Sequence, residues 1–384
     1  MKKDLTQHLA MVTYYGVPMP KCPATVQELR EGGSAIIEHS PYYVEDETPY
    51  NKFQKATLIV KDNHLQVIGP TGSGKDEWAR QMAAKTGRPI ALFNFNDDGD
   101  QSGWVTRTTL EKEDGVTVTA EVEGSLRRAC QGLTIYRRLK NVLPDVETDT
   151  DVGALITEMQ SHDWVVEHVE KDVYKITIPF IIQIQDADRA GSKLEPLRQA
   201  CELNKEMLTD PITGESFPVL RGTRFIFTGN SGVDGDGGRG MVVKQKDASM
   251  ANRMSAIRVS HPPEEVEKQV YSRQYPQLSE HEVAMVTKCT NALREVCRQE
   301  HLALDVSMRQ GLAWISHAVR FQSFYGCKFM KALKESLDSL TGHFMEEENA
   351  ELFKSSVAVF LVEESKAQTQ DSNPSPSSCP IDNI

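Results

Sequence analysis

Apolar residues fall in short runs between residues 61 and 262, and in helical periods beyond that point. Leu65-Gln66-Val67-Ile68, Ile90 to Phe95, Phe180 to Ile184, Phe225 to Thr228 and Ala256 to Val259 are brief apolar runs bounded by turn residues. This is the pattern of strands covered on both faces. Asp76 to Ala84 has helical spacing, with Trp78, Met82 and Ala83 on one face. The alternation predicts an α/β domain over 61–262, a mostly parallel sheet with helices on both faces. Pro262-Pro263 breaks the chain. Ser279 to Glu300, Ser307 to Phe321 and Lys328 to His343 then read as helices, so 263–363 is expected to form a smaller all-helical domain. Residues 1–60, with Tyr14-Tyr15 and Tyr42-Tyr43, show weak periodicity and read as an irregular N-terminal segment. Residues 364–384, rich in Ser, Pro, Asn and Gln, read as a disordered tail.

Residues 132–175 exceed a simple connection. Thr148 to Asp151 reads as a loop, Leu155 to Trp164 as a helix, and Trp164 to Val169 with Val173 to Ile178 as a hairpin. Together they predict an inserted subdomain. Asp210-Pro211 to Gly214 carries the turn residues of a further hairpin.

The run Gly69-Pro70-Thr71-Gly72-Ser73-Gly74-Lys75-Asp76 lies between the first strand and its helix. Gly, four residues, Gly-Lys, then Ser or Thr is the pattern of a phosphate-binding loop. Its glycines let backbone N–H groups turn inward, the helix N-terminus adds partial positive charge, and Lys75 reaches the β and γ phosphates. The eighth position departs from the pattern, because Asp76 replaces the hydroxyl residue that normally meets Mg²⁺. A second departure lies in Pro179 to Ala190. The usual strand end is Asp-Glu, and here Gln185 occupies the Asp position and Asp186 the Glu position. Read together, the changes exchange carboxylate and neutral ligand between loop and strand, giving a swapped Mg²⁺ site built on Asp76 and Gln185. The other reading of Asp76 is a weakened or lost metal site, beside a helix dipole that favours an acidic residue.

Nucleotide hydrolysis also needs groups that orient water and stabilise transition-state charge. Asp186 stands where the water-orienting acid is expected. Phe225 to Asn230 is a strand ending in Asn, suited to positioning the attacking water. Asn252-Arg253-Met254 precedes the last strand, where Arg253 could reach a neighbouring subunit's nucleotide. Ser307 is the N-cap of a helix that carries Arg309 in its first turn, a place where the dipole gives arginine nothing.

Composition narrows the classes. The 384 residues carry a net charge of −12, which argues against broad nucleic-acid binding. The seven cysteines are scattered with no Cys-x-x-Cys pair, as in a cytoplasmic protein with reduced thiols, and His162 and His168 have no metal-ligand spacing. No signal peptide or membrane-length apolar run is expected.

These motifs, in this order, resemble the AAA+ ATPases, and within them the MoxR-type branch, especially the smaller ATPase subunit of aerobic cobaltochelatase. The likeness is carried by Gly69 to Asp76, Gln185 to Ala190, Phe225 to Asn230, the glycine loop Gly232 to Gly240, Asn252-Arg253-Met254 and Ser307 to Gln310, and covers about residues 60–345. It implies an α/β AAA+ P-loop sheet followed by a helical lid. It also implies ATP and Mg²⁺ as ligands, a homo-hexameric ring with nucleotide between subunits, and a partner bearing a von Willebrand A domain. The ring would remodel a partner protein or complex. The same resemblance implies that Lys75 holds phosphate, Asp186 is the catalytic acid, Asn230 is sensor 1, Arg253 is the finger and Arg309 is sensor 2. The departures at Asp76 and Gln185 leave a second expectation, a nucleotide-dependent scaffold with little hydrolysis. A nucleic-acid motor is a third, against which the acidic balance weighs. The glycine loop 232–240 reads equally as a pore-facing segment or a surface connection.

Overall fold

The structure, a computed structural model, describes residues 9–14, 16–44, 64–95, 102–113, 116–139, 149–190, 194–202, 206–210, 212–230, 248–300, 302, 306–342 and 347–367. The chain divides into two compact units, Met1–His261 and Pro262–Ile384.

The first unit contains β1 (Met11–Tyr14), β2 (Val17–Pro20), α1 (Val26–Glu31), β3 (His64–Ile68), α2 (Glu77–Thr86) and β4 (Ile90–Asn94). There follow β5 (Thr106–Glu113), β6 (Val116–Glu123), α3 (Ser125–Gln131), β7 (Leu133–Arg138), α4 (Asp149–Ser161), β8 (Val165–Glu170) and β9 (Val173–Ile178). It ends with β10 (Ile181–Gln185), α5 (Glu195–Arg198), β11 (Met207–Thr209), β12 (Ser216–Pro218), β13 (Arg224–Gly229), α6 (Ala248–Ala251) and β14 (Met254–Arg258).

The five predicted strands form one parallel sheet in the order β14-β3-β13-β10-β4. Alternate residues serve opposite faces. Leu65, Val67, Ile181, Ile226 and Ile257 pack with Trp78, Met82 and Ala83 of α2. Ile182, Ile184, Phe225 and Phe227 pack on the other side with Leu126 and Cys130 of α3 and Leu155 and Met159 of α4. Both faces are therefore covered, which is why these strands read as apolar runs and not as alternating ones. A parallel α/β sheet with helices on both faces, joined to an all-helical second unit, is the architecture that the AAA+ resemblance implies.

The hairpin of β8 and β9 forms as expected, with β7 adding a third strand. The helix before it runs over Asp149–Ser161, so Asp149 to Asp151 are its first turn and not the expected loop, and it stops before Trp164. The turn at Asp210 to Gly214 joins β11 to β12, antiparallel as expected. The long β5–β6 hairpin is not among the predicted elements, although Val116-Thr117-Val118-Thr119 alternates in the strand manner.

The N-terminal segment also contributes fixed structure. Helix α1 begins with a capping box: Thr25 Oγ1 accepts from Glu28 N–H at 3.2 Å, and Glu28 Oε2 accepts from Thr25 N–H at 2.8 Å. Arg137 of β7 donates to both oxygens of the same carboxylate, at 2.6 Å to Oε1. That guanidinium, with help from Thr25, pulls the Glu28 carboxyl from 4.5 down to about 2 against the opposing effect of burial. A lowered folded pKa stabilises above the unfolded value, and the gain is lost as pH falls through the folded one. Arg137→Ala should therefore cost about 1–2 kcal/mol at pH 7. The difference from wild type should narrow between pH 4.5 and about 2. Urea titration across that range checks it.

The second unit contains α7 (Glu264–Gln274), α8 (Glu280–Gln299), α9 (Met308–Tyr325), α10 (Phe329–Glu335), α11 (Asp338–Thr341) and α12 (Glu347–Ala367). Its core joins Val286, Leu293, Trp314, Leu333 and Phe353. The stretch expected as one helix from Lys328 to His343 is two, because the chain turns at Ser336-Leu337. Residues 364–367, expected in the tail, continue α12, and the rest of that tail lies outside the described residues. Among the described residues no helix is long and apolar enough to cross a membrane.

Candidate nucleotide-binding site

The loop Gly69 to Asp76 leaves the C-terminal end of β3, an inner strand of the sheet, and enters α2. Gly72 and Gly74 have φ of 71° and 81°, a left-handed backbone that side chains resist, and this lets the loop curl above the strand end. Gly69 is fixed by proximity, since a Cβ there would lie 2.4 Å from the Val259 carbonyl oxygen.

Lys75 is almost buried, at 6% exposure. Its Nζ donates to Asn230 Oδ1 at 2.7 Å and to the Pro70 carbonyl at 3.3 Å. Thr71 Oγ1 reaches the same Asn230 oxygen at 3.4 Å. Asn230 follows β13, which pairs directly with β3, so adjacent parallel strands deliver the loop lysine and the asparagine to one point. Asn230 is held by Asp188, a residue whose role the motif alone does not show. Asp188 is buried, and its Oδ2 accepts from Asn230 N–H at 2.7 Å.

Asp76 lies at the start of α2 without capping it. Its Oδ1 accepts from Thr228 Oγ1 at 2.5 Å and from Gln183 Nε2 at 3.3 Å, and Gln183 Nε2 also reaches the Asp76 carbonyl at 3.1 Å. Strand parity explains the pair. Gln183 shares a face with Ile181, and Thr228 with Ile226, and this is the face covered by α2. The β10 residue bonded to Asp76 is therefore Gln183 and not Gln185. Gln185 lies two residues further along, where its main-chain oxygen accepts from Phe95 N–H and its buried side-chain nitrogen has no bond among the described residues. The signal for Gln183 is present in the sequence, as a polar residue inside an apolar strand that must find a partner.

Asp186 follows β10 with φ 51° and ψ 36°, a left-handed conformation that aspartate tolerates better than most residues. Burial raises its carboxyl above the usual range, and the negative charges of Asp188 and Asp76 add to the shift, while Arg189 and Lys75 oppose it. Asp76, Asp186 and Lys75 are thus within electrostatic reach of one another. Arg253 belongs to the same unit and is tied within the chain, donating to Glu202 Oε1 and to the Ser249 carbonyl, each at 2.6 Å. Arg309 belongs to the second unit, exposed in the first turn of α9, whose N-cap Ser307 forms a capping box with Gln310. The glycine loop 232–240 lies outside the described residues.

Two carboxylates beside a phosphate loop suit a divalent cation, which takes one or two carboxylates and completes its shell with phosphate and water. Asp76 and Asp186 fit that role, with Gln183 and Thr228 orienting Asp76 through its Oδ1. Among the described residues no cluster of three or more His, Cys, Asp or Glu forms a self-sufficient metal cage.

No protein-family model matches the chain, and no curated protein matches it. Among solved structures it is similar to the RuvB Holliday junction branch migration motor of Thermotoga maritima, at 10% identity and TM-score 0.37, covering 77% of this chain and 70% of that one. A proline-to-glycine mutant of the same RuvB aligns at 10% identity and TM-score 0.41, over 79% of this chain and 74% of that one. At these values the likeness carries no functional argument.

Proposed function

We propose that this chain binds ATP in the loop Gly69 to Lys75 and hydrolyses it as a subunit of an AAA+ type ring that remodels a partner protein or complex. The observation that supports this most is the meeting of Lys75 Nζ and Asn230 Oδ1, 2.7 Å apart, beside Asp186. In this reading Lys75 exchanges its asparagine and carbonyl partners for phosphate oxygens, while the loop's backbone N–H groups cradle the same charge. Asn230, fixed through its N–H by Asp188, is then free to orient water with its side chain. Asp186 is the acid that accepts from that water. Mg²⁺, held by Asp76 and Asp186, would neutralise phosphate charge. Arg253 serves a neighbouring subunit only after leaving Glu202, which makes ring assembly a condition of fast turnover. A homo-hexamer and a partner with a von Willebrand A domain complete the proposal, on the resemblance alone.

A second reading has its own observation. One oxygen of the Asp76 carboxylate, Oδ1, already accepts from both Thr228 and Gln183 without a metal, and a chain that uses Asp76 in this way would assemble on nucleotide with little hydrolysis. An exchange experiment separates the two. If Asp76 replaces the missing strand carboxylate, Asp76→Thr with Gln183→Asp should keep more Mg²⁺-dependent turnover than either change alone. The same exchange with Gln185→Asp should give no such rescue. Losses that simply add at both positions would favour the scaffold. The single change Gln183→Met, which leaves Asp76 less firmly oriented, should raise the Mg²⁺ concentration for half-maximal ATP turnover by about tenfold or more.

A further inference from the structure

A cavity of about 60 Å³ opens at the other end of the sheet from the loop. Its walls include Arg88, Asp163 and Arg224, together with Met19, Met82 and Trp164. Arg224 is the first residue of β13 and Arg88 precedes β4, whereas the loop and Asn230 sit at the strands' C-terminal ends. The length of β13 separates the two places by roughly 16 Å.

Two arginines and one aspartate line this cavity. Asp163 is shared between two arginines: its Oδ2 lies 3.3 Å from Arg224 and its Oδ1 3.3 Å from Arg221. The Arg224 side chain is only 4% exposed. Arg88 donates to main-chain oxygens, at 2.8 Å to Gly222 and 3.4 Å to Pro179, and forms no ion pair among the described residues. Two guanidiniums, Arg88 and Arg224, thus line the cavity with one carboxylate, Asp163, which the exposed Arg221 also approaches from outside it. The Arg88 guanidinium is accordingly held down to about 10, by burial first and then by Arg224. A poorly compensated cation taken out of water is costly unless something anionic meets it. The Asp163 carboxylate, the acceptor of the cluster, is itself placed by backbone geometry. Asp163 has φ 64°, and a Cβ on Gly222 would lie 2.5 Å from the Asp163 Cβ, so the turn is built around this contact.

We infer that this cavity is a binding site for a small oxyanion, a carboxylate or phosphate group, received by the Arg88 and Arg224 guanidiniums and carried on a short apolar body that rests against Met19, Met82 and Trp164. Guanidinium forks match the two oxygens of such groups, and the apolar wall favours an aliphatic carboxylate over a bare ion. The inference does not depend on the nucleotide reading, because it uses none of the loop residues.

Trp164 supplies the readout. Butyrate and inorganic phosphate would be titrated separately into the full chain while tryptophan fluorescence is followed. A saturable change is expected, tighter for butyrate, absent in Trp164→Phe and unaltered by Lys75→Ala. Arg88→Gln should weaken it at least tenfold, and Arg88→Lys, which keeps the charge and loses the fork, by less. Saturation by phosphate as tightly as by butyrate would also support the oxyanion site and would assign the affinity to the guanidiniums without the apolar wall. The inference is overturned if the wild-type chain gives no saturable response to either anion, a result independent of whether any variant folds. It is equally overturned if the response survives Arg88→Gln unchanged or disappears with Lys75→Ala.

Discussion

Replacing Lys75 by alanine is expected to weaken ATP binding by about 100-fold, reflecting loss of a nearly buried charge-assisted contact worth about 2–5 kcal/mol. The residue is 6% exposed, and its ammonium already has oxygen partners in Asn230 and Pro70. It is therefore positioned before any ligand arrives, and little side-chain entropy remains to be lost on binding. Thr71→Ala, which removes only a 3.4 Å contact to the same asparagine, should have a much smaller effect. A fluorescent ATP analogue titrated into the wild type and both variants gives the comparison. Equal losses from Thr71→Ala and Lys75→Ala would mean that the loop is disturbed as a whole and that Lys75 has no special role.

The second large effect lies in the helical unit. Glu267 of α7 is fully buried, and Arg294 of α8 is nearly so. They form a two-pronged pair, at 2.5 Å between Arg294 Nη2 and Glu267 Oε1 and 2.9 Å between Nη1 and Oε2. Arg294 Nε also donates to the Val306 carbonyl at 2.6 Å, one residue before the Ser307 N-cap. The pair thus holds α7, α8 and the start of α9 together, and it fixes the turn of α9 that carries Arg309. Glu267→Ala leaves a buried guanidinium without its carboxylate and should cost about 3–5 kcal/mol. For a unit of this size the melting temperature should fall by roughly 12 °C or more. The paired change Glu267→Leu with Arg294→Met removes both charges and should recover much of the loss, because desolvation offsets most of what a buried pair contributes. Thermal unfolding of the three variants tests this, and a double variant as unstable as Glu267→Ala would show that the Val306 contact matters more than the pair.

Much of this molecule is legible in its residues. The inner strands β3, β13 and β10 read as apolar runs because both their faces are buried, and a buried parallel strand has no polar face to blur the signal. Ser307 reads as an N-cap from sequence, and the structure adds Ser279 as another; each is followed three residues later by the Gln310 or Glu282 that closes its capping box. The start of α4 at Asp149 is not legible in the same way. Its polar first turn, Asp149-Thr150-Asp151, resembles a loop until Leu155 and Met159 are seen against the core. The Gln183 contact is hidden for another reason. Motif alignment draws the eye to Gln185, whereas the partner of Asp76 is decided by strand register and by which face α2 covers. The arginine cavity is hidden altogether, because Arg88, Asp163 and Arg224 are far apart in sequence and meet only when the strands are in register.

Calorimetric titration of ATP into the purified chain, with and without Mg²⁺, tests the central claim most directly. A loop whose lysine is preset beside Asn230 and whose Asp76 lies within electrostatic reach of Asp186 predicts saturable ATP binding that Mg²⁺ strengthens. Binding that Mg²⁺ weakens or leaves unchanged would contradict the metal role of Asp76, and no binding under either condition would contradict the nucleotide site itself.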